Sequence, residues 1–100
     1  MARPIILYGQ PDDPGAFEDY YANRHIPYAG QHMPHVQAAE NLRITTNADG
    51  GPPPYYRIAQ MTYDSLQDLR AGTASDEGKA VIADLANFAT GGATLMLADD

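Results

Sequence analysis

Apolar and β-branched residues are concentrated in four segments of the chain, and the stretches between them show a helical spacing. The four segments predict strands at residues 4–8, 36–46, 56–63 and 93–98. The first and last are apolar at consecutive positions, which is typical of strands covered on both faces. In the second, Leu42 and Ile44 share one face while polar residues occupy the other.

The first helical segment begins at Asp13 and Pro14, because aspartate is a common N-cap and proline costs little in the first turn. Aromatic and basic residues then recur at spacings of three and four, which places them on one helical face. These residues are Phe17, Tyr20, Tyr21, Arg24 and His25. Pro27 disfavours helical geometry at the residue before it, so the helix is expected to end near His25.

Two further helices are predicted between the third and fourth strands. Ser65 caps a short helix that runs to Arg70, and Gly72 is the expected stop. Ser75 is the expected N-cap of the next helix. Acidic residues follow it, and their negative charge interacts favourably with the positive end of the helix dipole. The predicted buried stripe of this helix comprises Val81, Leu85 and Phe88.

The predicted order of elements is β-α-β-β-α-α-β. With right-handed crossovers, this order indicates an α+β fold in which helices cover one side of a four-stranded antiparallel sheet, the ferredoxin-like arrangement. Such a sheet has one bare face, and the apolar residues on it would form an unusually large exposed patch. We therefore expect a homodimer packed sheet to sheet, with a pocket between each sheet and its own helices.

The composition then narrows the classes of function. A chain of 100 residues and 10.8 kDa predicts a single domain over residues 1–100. The net charge of −7 disfavours binding to nucleic acids and membrane surfaces. The absence of cysteine excludes disulfides, zinc-thiolate sites and thiol nucleophiles. No apolar run is long enough to span a bilayer and no signal-peptide pattern precedes the first strand, so a cytoplasmic protein is expected.

The three histidines are the first candidates for chemistry. Their spacing matches no metal motif, so no metal and no cofactor is predicted, and His32 and His35 are expected to be exposed loop residues. His25 is expected at a helix C-terminus with Tyr21 one turn earlier, where it can act as general acid or base on a bound small molecule. The alternative is that His25 only caps the helix by donating to its last carbonyl groups.

Tyrosines and one arginine are further candidates. Tyr8 and Tyr56 either pack the core or line an aromatic pocket for a small hydrophobic ligand. Arg57, in the third strand, needs an anionic partner, for which Glu40, Asp64 and a bound anion are candidates.

Asn87 and Phe88 precede a glycine pair near the end of the last predicted helix. The simpler interpretation is a helix stop with glycine at the cap. The alternative is that Asn87 contacts a ligand through its amide and that Phe88 lines the same pocket as Tyr8.

The segment F-E-D-Y-Y-A-N-R-H-I-P at residues 17–27 resembles the F-x-x-Y-Y-x-x-x-H-x-P helix signature of the EthD family. Residues 7–11, 52–59 and 84–92 look like the same family and occur in its order. By residue match, Tyr21, His25 and Pro27 carry the helix signature, and Tyr56, Arg57 and Asn87 carry two of the other segments. The resemblance implies a dimeric α+β barrel of two ferredoxin-like subunits joined through their sheets.

Relatives that share this architecture include cofactor-free monooxygenases, muconolactone isomerases, polyketide cyclases and, more remotely, heme proteins. The resemblance thus implies an oxidoreductase or monooxygenase-like enzyme that acts on a small hydrophobic or aromatic metabolite in a catabolic pathway, with His25 as acid/base and Tyr21 as its orienting partner. Two alternatives stay open: a non-catalytic binding or accessory protein of a degradation operon, and a cofactor-free isomerase or polyketide cyclase.

Overall fold

The computed structural model describes residues 1–100. It contains four strands and four α-helices, with a π-helical turn after the first helix and a 3₁₀ turn after the last. In chain order the elements are β1 (Ala2–Gly9), α1 (Pro14–Tyr20), the π turn (Tyr21–His25), α2 (Ile26–His32), β2 (Ala38–Arg43), β3 (Tyr55–Thr62), α3 (Leu66–Ala74), α4 (Asp76–Ala83), the 3₁₀ turn (Asp84–Asn87) and β4 (Ala93–Asp99).

The four strands form one antiparallel sheet in the order β2-β3-β1-β4. This confirms the predicted α+β, ferredoxin-like fold. The predicted caps are present: the side chain of Asp13 accepts from the amide of Ala16, and that of Ser75 accepts from the amide of Gly78. None of the helices is both long and apolar enough to cross a lipid bilayer.

The first helix does not end near His25, so that prediction is wrong. The backbone stays helical at Ile26, whose amide donates to the carbonyl of Tyr21 five residues back, and helical geometry continues to His32. Pro27 falls in the first turn of α2 and has no amide hydrogen to donate to a carbonyl group of the preceding turn. The wide turn therefore accommodates the proline and places His25 in the middle of a continuous helical segment.

Gly72 is not a helix stop either, because α3 continues to Ala74. The glycine is buried, and a Cβ atom there would lie 2.7 Å from the carbonyl oxygen of Pro34. Its role is to let the loop after α2 approach α3 closely. The second strand is also shorter than predicted, since pairing with β3 covers only Ala38–Arg43.

Burial differs between the two faces of the sheet. In β1, Ala2, Ile6 and Tyr8 point toward the helices and are buried. The edge strand β4 was expected to be covered on both faces, but in the single chain it is exposed on both. Leu97 pairs with Pro4 on the helix-facing side and is 54% exposed, whereas Met96 pairs with Ile5 on the opposite side, called the outer face below, and is 43% exposed.

The main core is a cluster of aromatic rings between the sheet and the helices. Phe17 lies at its centre and contacts four other rings at centroid distances of 5.1 to 5.4 Å. These rings belong to Tyr8, Tyr21, Tyr56 and Phe88. The predicted stripe of α4 and the turn after it joins the interior, since Val81, Leu85 and Phe88 are all buried. Two rings of the aromatic cluster, Tyr8 and Tyr21, also line the cavity between the sheet and the helices.

Candidate functional site

A cavity of about 230 Å³ lies between the sheet and the helices, where a pocket was predicted. Its walls are mainly apolar side chains of β1, β3, α2 and α4. The polar side chains on its surface are few, namely Tyr8, Tyr21, His25 and Asn41. Ala39 and Asn41 of the edge strand β2 line the cavity and are exposed to solvent, so it opens beside this strand.

The most distinctive feature of the cavity wall is His25, which forms a largely buried pair with Asp84, a residue outside the cavity lining. Nδ1 of His25 lies 2.9 Å from Oδ2 of Asp84, and the two side chains are 6% and 12% exposed. The π turn supplies the histidine, and the first residue of the 3₁₀ turn supplies the aspartate. Oδ1 of Asp84 accepts two more hydrogen bonds, from the hydroxyl of Tyr20 at 2.6 Å and the side-chain amide of Asn87 at 2.8 Å.

These contacts keep Asp84 ionised. Burial raises the pKa of the carboxyl group, but the hydrogen bonds from Tyr20, His25 and Asn87 outweigh burial and hold the pKa below its usual value. A carboxylate can only accept, so Nδ1 of His25 carries the proton of their hydrogen bond. Nε2 has no protein partner and is the ring nitrogen that a molecule in the cavity can reach. In the neutral ring, Nε2 is a proton acceptor.

The lowered pKa of Asp84 predicts a specific dependence of stability on pH. An unfolded aspartate titrates near 3.8. Because the folded pKa is lower, the stabilisation from this carboxylate is complete above about pH 4 and is lost as the pH falls through the folded value. Thermal unfolding from neutral to strongly acid pH should therefore show a steeper loss of Tm for the wild type than for Asp84→Asn. Parallel curves would contradict the prediction.

Aromatic rings hold the imidazole of His25 in place. The ring of Phe88 lies 4.7 Å from it, and the ring of Tyr21 stacks on it at 5.8 Å with an interplanar angle of 17°. The Tyr21 hydroxyl donates to Oδ1 of Asn41 at 2.6 Å, and burial raises the pKa of Tyr21 to about 12. Tyr21 thus contacts the face of the imidazole, whereas the hydrogen bond that orients the ring comes from Asp84.

Asp84 is not revealed by helical spacing, because it lies 59 residues from His25 along the chain. The signal that could have revealed it is the motif at residues 84–92, which begins with this aspartate. Asn41 is a second residue that the sequence pattern does not reveal. Alternation along its strand predicts which face of the sheet it lies on, but not its contact with Tyr21.

The remaining predicted ligand contacts lie outside the cavity lining, apart from Tyr8. Asn87 is exposed and donates to Asp84, while Phe88 is buried against His25. Tyr56 is buried in the aromatic cluster, and its hydroxyl donates to Glu18 at 2.9 Å.

Arg57 pairs with Glu18, not with Glu40 or Asp64 as the sequence suggested. Its Nη2 lies 3.0 Å from Oε2 of Glu18, and its guanidinium group lies over the ring of Tyr21. Arg57 pairs with Tyr8 on the helix-facing side of the sheet, whereas Glu40 pairs with Gln60 on the outer face and therefore points away from it.

The other two histidines stand apart from the site. His32 is the last residue of α2 rather than a loop residue, and its ring lies 4.8 Å from that of Tyr28. His35 is exposed and adopts a positive φ of 70° in the loop before β2. No three histidine, cysteine, aspartate or glutamate side chains lie close enough together to form a metal site.

Comparisons with known proteins place this chain in a family. The EthD domain model matches residues 10–92. An uncharacterized 11.0 kDa protein from the thcB-thcC intergenic region of Rhodococcus erythropolis is 37% identical over 100 residues, which cover this whole chain and 95% of the relative. The crystal structure of an EthD family protein from Bacillus halodurans matches with a TM-score of 0.90 at 33% identity, over 100% of this chain and 98% of the other.

A more distant structure shares the fold alone. SnoaB, a cofactor-independent oxygenase from Streptomyces nogalater, matches with a TM-score of 0.67 at 14% identity, over 99% of this chain and 91% of that protein. The family match spans most of the chain and includes both the helix that carries His25 and the turn that carries Asp84. The chain therefore belongs to the EthD family.

Proposed function

We propose that the protein is an enzyme that removes a proton from, or returns one to, a small apolar molecule bound in the cavity, with His25 as the acid/base. The observation that supports this most directly is the contact of 2.9 Å between Asp84 and His25, which lines a mainly apolar cavity. Asp84 holds the ring by Nδ1 and leaves Nε2 for the bound molecule. A positioned histidine of this kind contributes about 10²–10⁴-fold to a proton-transfer rate.

The volume and the apolar walls of the cavity limit the size and polarity of the substrate. Its volume of about 230 Å³ lies below the roughly 300–1,000 Å³ of pockets for drug-sized ligands, so the ligand is small. Apolar walls with few polar groups favour a hydrophobic or aromatic metabolite. Such a metabolite fits the catabolic role that the family resemblance suggests.

Loss of a proton leaves an electron-rich carbon framework, and three outcomes can follow. Reaction with dioxygen would make the protein a monooxygenase-like oxidoreductase, and the similarly folded SnoaB is a cofactor-independent oxygenase. Return of the proton to another carbon would make it an isomerase, and attack within the molecule would make it a cyclase. All three start from the same transfer to His25.

A ligand screen followed by product analysis tests this proposal. Small aromatic and alicyclic compounds would be screened by thermal shift, and each stabilising compound would be incubated with the protein while oxygen uptake and products are measured. We expect conversion by the wild type and none by His25→Gln. Stabilisation without conversion would overturn the enzymatic proposal and favour a non-catalytic binding or accessory protein.

We also propose that the protein is a homodimer joined through the outer face of its sheet. Apolar side chains from all four strands line this face, including Leu42 and Met96, which are 59% and 43% exposed. Ile5, Leu7 and Ile58 lie between them on the central strands. An exposed apolar face of this extent is uncommon on a protein that stays monomeric.

Sedimentation equilibrium at micromolar concentration is expected to give the mass of a dimer for the wild type and of a monomer for Met96→Glu. The control is Leu97→Glu, because Leu97 lies on the helix-facing side of the same strand, which a sheet-to-sheet dimer leaves uncovered. A monomeric wild type would contradict the proposal, as would dissociation by Leu97→Glu alone.

A further inference from the structure

The hydroxyl group of Tyr8 is buried near the hydroxyl of Tyr21 but makes no hydrogen bond of standard geometry within the protein. The residue is 1% exposed, and it lines the same cavity as His25. Both Tyr8 and His25 pack against the rings of Tyr21 and Phe88. Tyr8 and His25 therefore lie on the wall of one cavity and share two ring neighbours.

An unpaired buried hydroxyl destabilises a protein, since the group loses its hydrogen bonds to water and gains none in return. Such groups are uncommon in native proteins and often have a functional reason. Burial raises the pKa of Tyr8, so its hydroxyl stays protonated across the physiological range and can serve as a donor. The ring is fixed by edge contacts with Phe17 at 5.4 Å and Tyr21 at 5.5 Å, so the position of the hydroxyl oxygen is set in advance.

We propose that the substrate is a small carbonyl compound with a hydrogen on the carbon next to the carbonyl group, and that Tyr8 donates to the carbonyl oxygen while Nε2 of His25 takes that hydrogen. This inference rests on the proposed function and adds to it the chemical class of the substrate. A base at the adjacent carbon forms the enolate, and a neutral donor at the oxygen stabilises it.

The electrons and protons of this step balance without a further reactant. The C–H bond breaks, and its proton forms a new N–H bond at Nε2 of His25. The electron pair of that bond becomes the C=C bond of an enolate, while the π pair of the carbonyl group moves to the oxygen. The Tyr8 hydroxyl hydrogen-bonds more strongly to this negative oxygen than to the neutral carbonyl, which stabilises the enolate. Asp84 stabilises the positive charge that His25 acquires.

Three probes of similar shape separate recognition of the oxygen from removal of the proton. The first probe is 2-naphthol, a planar analogue of an enol. The second is tetralin, which has the same two-ring shape without oxygen. The third is 2-tetralone, whose protons next to the carbonyl group can exchange with deuterated water. Binding of the first two would be measured by calorimetry, and exchange of the third by NMR.

Tyr8→Phe removes only the hydroxyl. It is expected to weaken 2-naphthol binding about tenfold, leave tetralin binding unchanged and raise Tm. Tyr63→Phe is the matched control, because the Tyr63 hydroxyl is also buried without a partner but does not line the cavity. Tyr63→Phe should raise Tm as well and leave the affinity for 2-naphthol unchanged.

If 2-naphthol fails to bind the wild type, or binds Tyr8→Phe equally well, the inference about the carbonyl group is wrong while the role of His25 stands. The exchange experiment addresses that role separately. If wild type and His25→Gln exchange the protons of 2-tetralone at the same rate, the proposed function fails.

Discussion

Replacement of His25 by glutamine is expected to slow proton exchange of 2-tetralone, or turnover of a substrate from the screen, by about 10²–10⁴-fold. Glutamine is similar in size and polar, so the variant should remain folded, but its amide cannot accept a proton at neutral pH. Exchange rates measured by NMR at saturating probe concentration would test this, with circular dichroism to verify the fold.

Two further variants make the result specific. His32→Gln removes a histidine that lies outside the cavity lining, so it should leave the rate unchanged. Asp84→Asn should reduce the rate less than the loss of His25 does, because the imidazole remains but its favoured protonation pattern is lost. Equal rates for the wild type and His25→Gln would contradict the assignment of His25 as the acid/base.

Replacement of Phe17 by alanine is expected to lower the free energy of unfolding by about 3–5 kcal/mol. Phe17 is 2% exposed, and its ring contacts the four other rings of the cluster that fixes Tyr8, Tyr21 and Phe88 around the cavity. Typical domains are stable by about 5–15 kcal/mol in total, so the variant should unfold at a much lower urea concentration.

Urea titrations at one fixed protein concentration would measure this loss, since dissociation of a dimer makes the midpoint depend on concentration. Tyr55→Ala is the control, because Tyr55 is 38% exposed and should lose little stability. A loss below about 1 kcal/mol for Phe17→Ala would show that the cluster does not hold the site together.

The parts of the fold that local chemistry determines could be predicted from the sequence. Asp13 and Ser75 cap helices through bonds to amides three residues away, so short segments contain the whole signal. Pro27 misled the prediction, because its usual effect on the preceding residue was offset by a π turn that only the surrounding packing selects. Gly72 misled it as well, since the close approach of the Pro34 carbonyl is a contact between distant segments.

The candidate site could be predicted only in part, for the same reason. His25 and Tyr21 were recognised because helical spacing places them together. Asp84, which orients His25, comes from the other end of the chain, and periodicity within one element contains no information on such a pair. Tyr8 and Tyr63 look alike in sequence, yet only Tyr8 lines the cavity.

The mechanism depends on which of the two ring nitrogens of His25 carries a proton. Long-range proton–nitrogen correlation NMR of the histidine side chains in alkaline solution measures it directly, with the His25 signals identified by their loss in His25→Gln. The result expected is a proton on Nδ1 and none on Nε2, together with a reversal of this pattern in Asp84→Asn. A proton on Nε2 in the neutral wild-type ring would contradict the account, because the cavity would then face a donor where proton removal needs an acceptor.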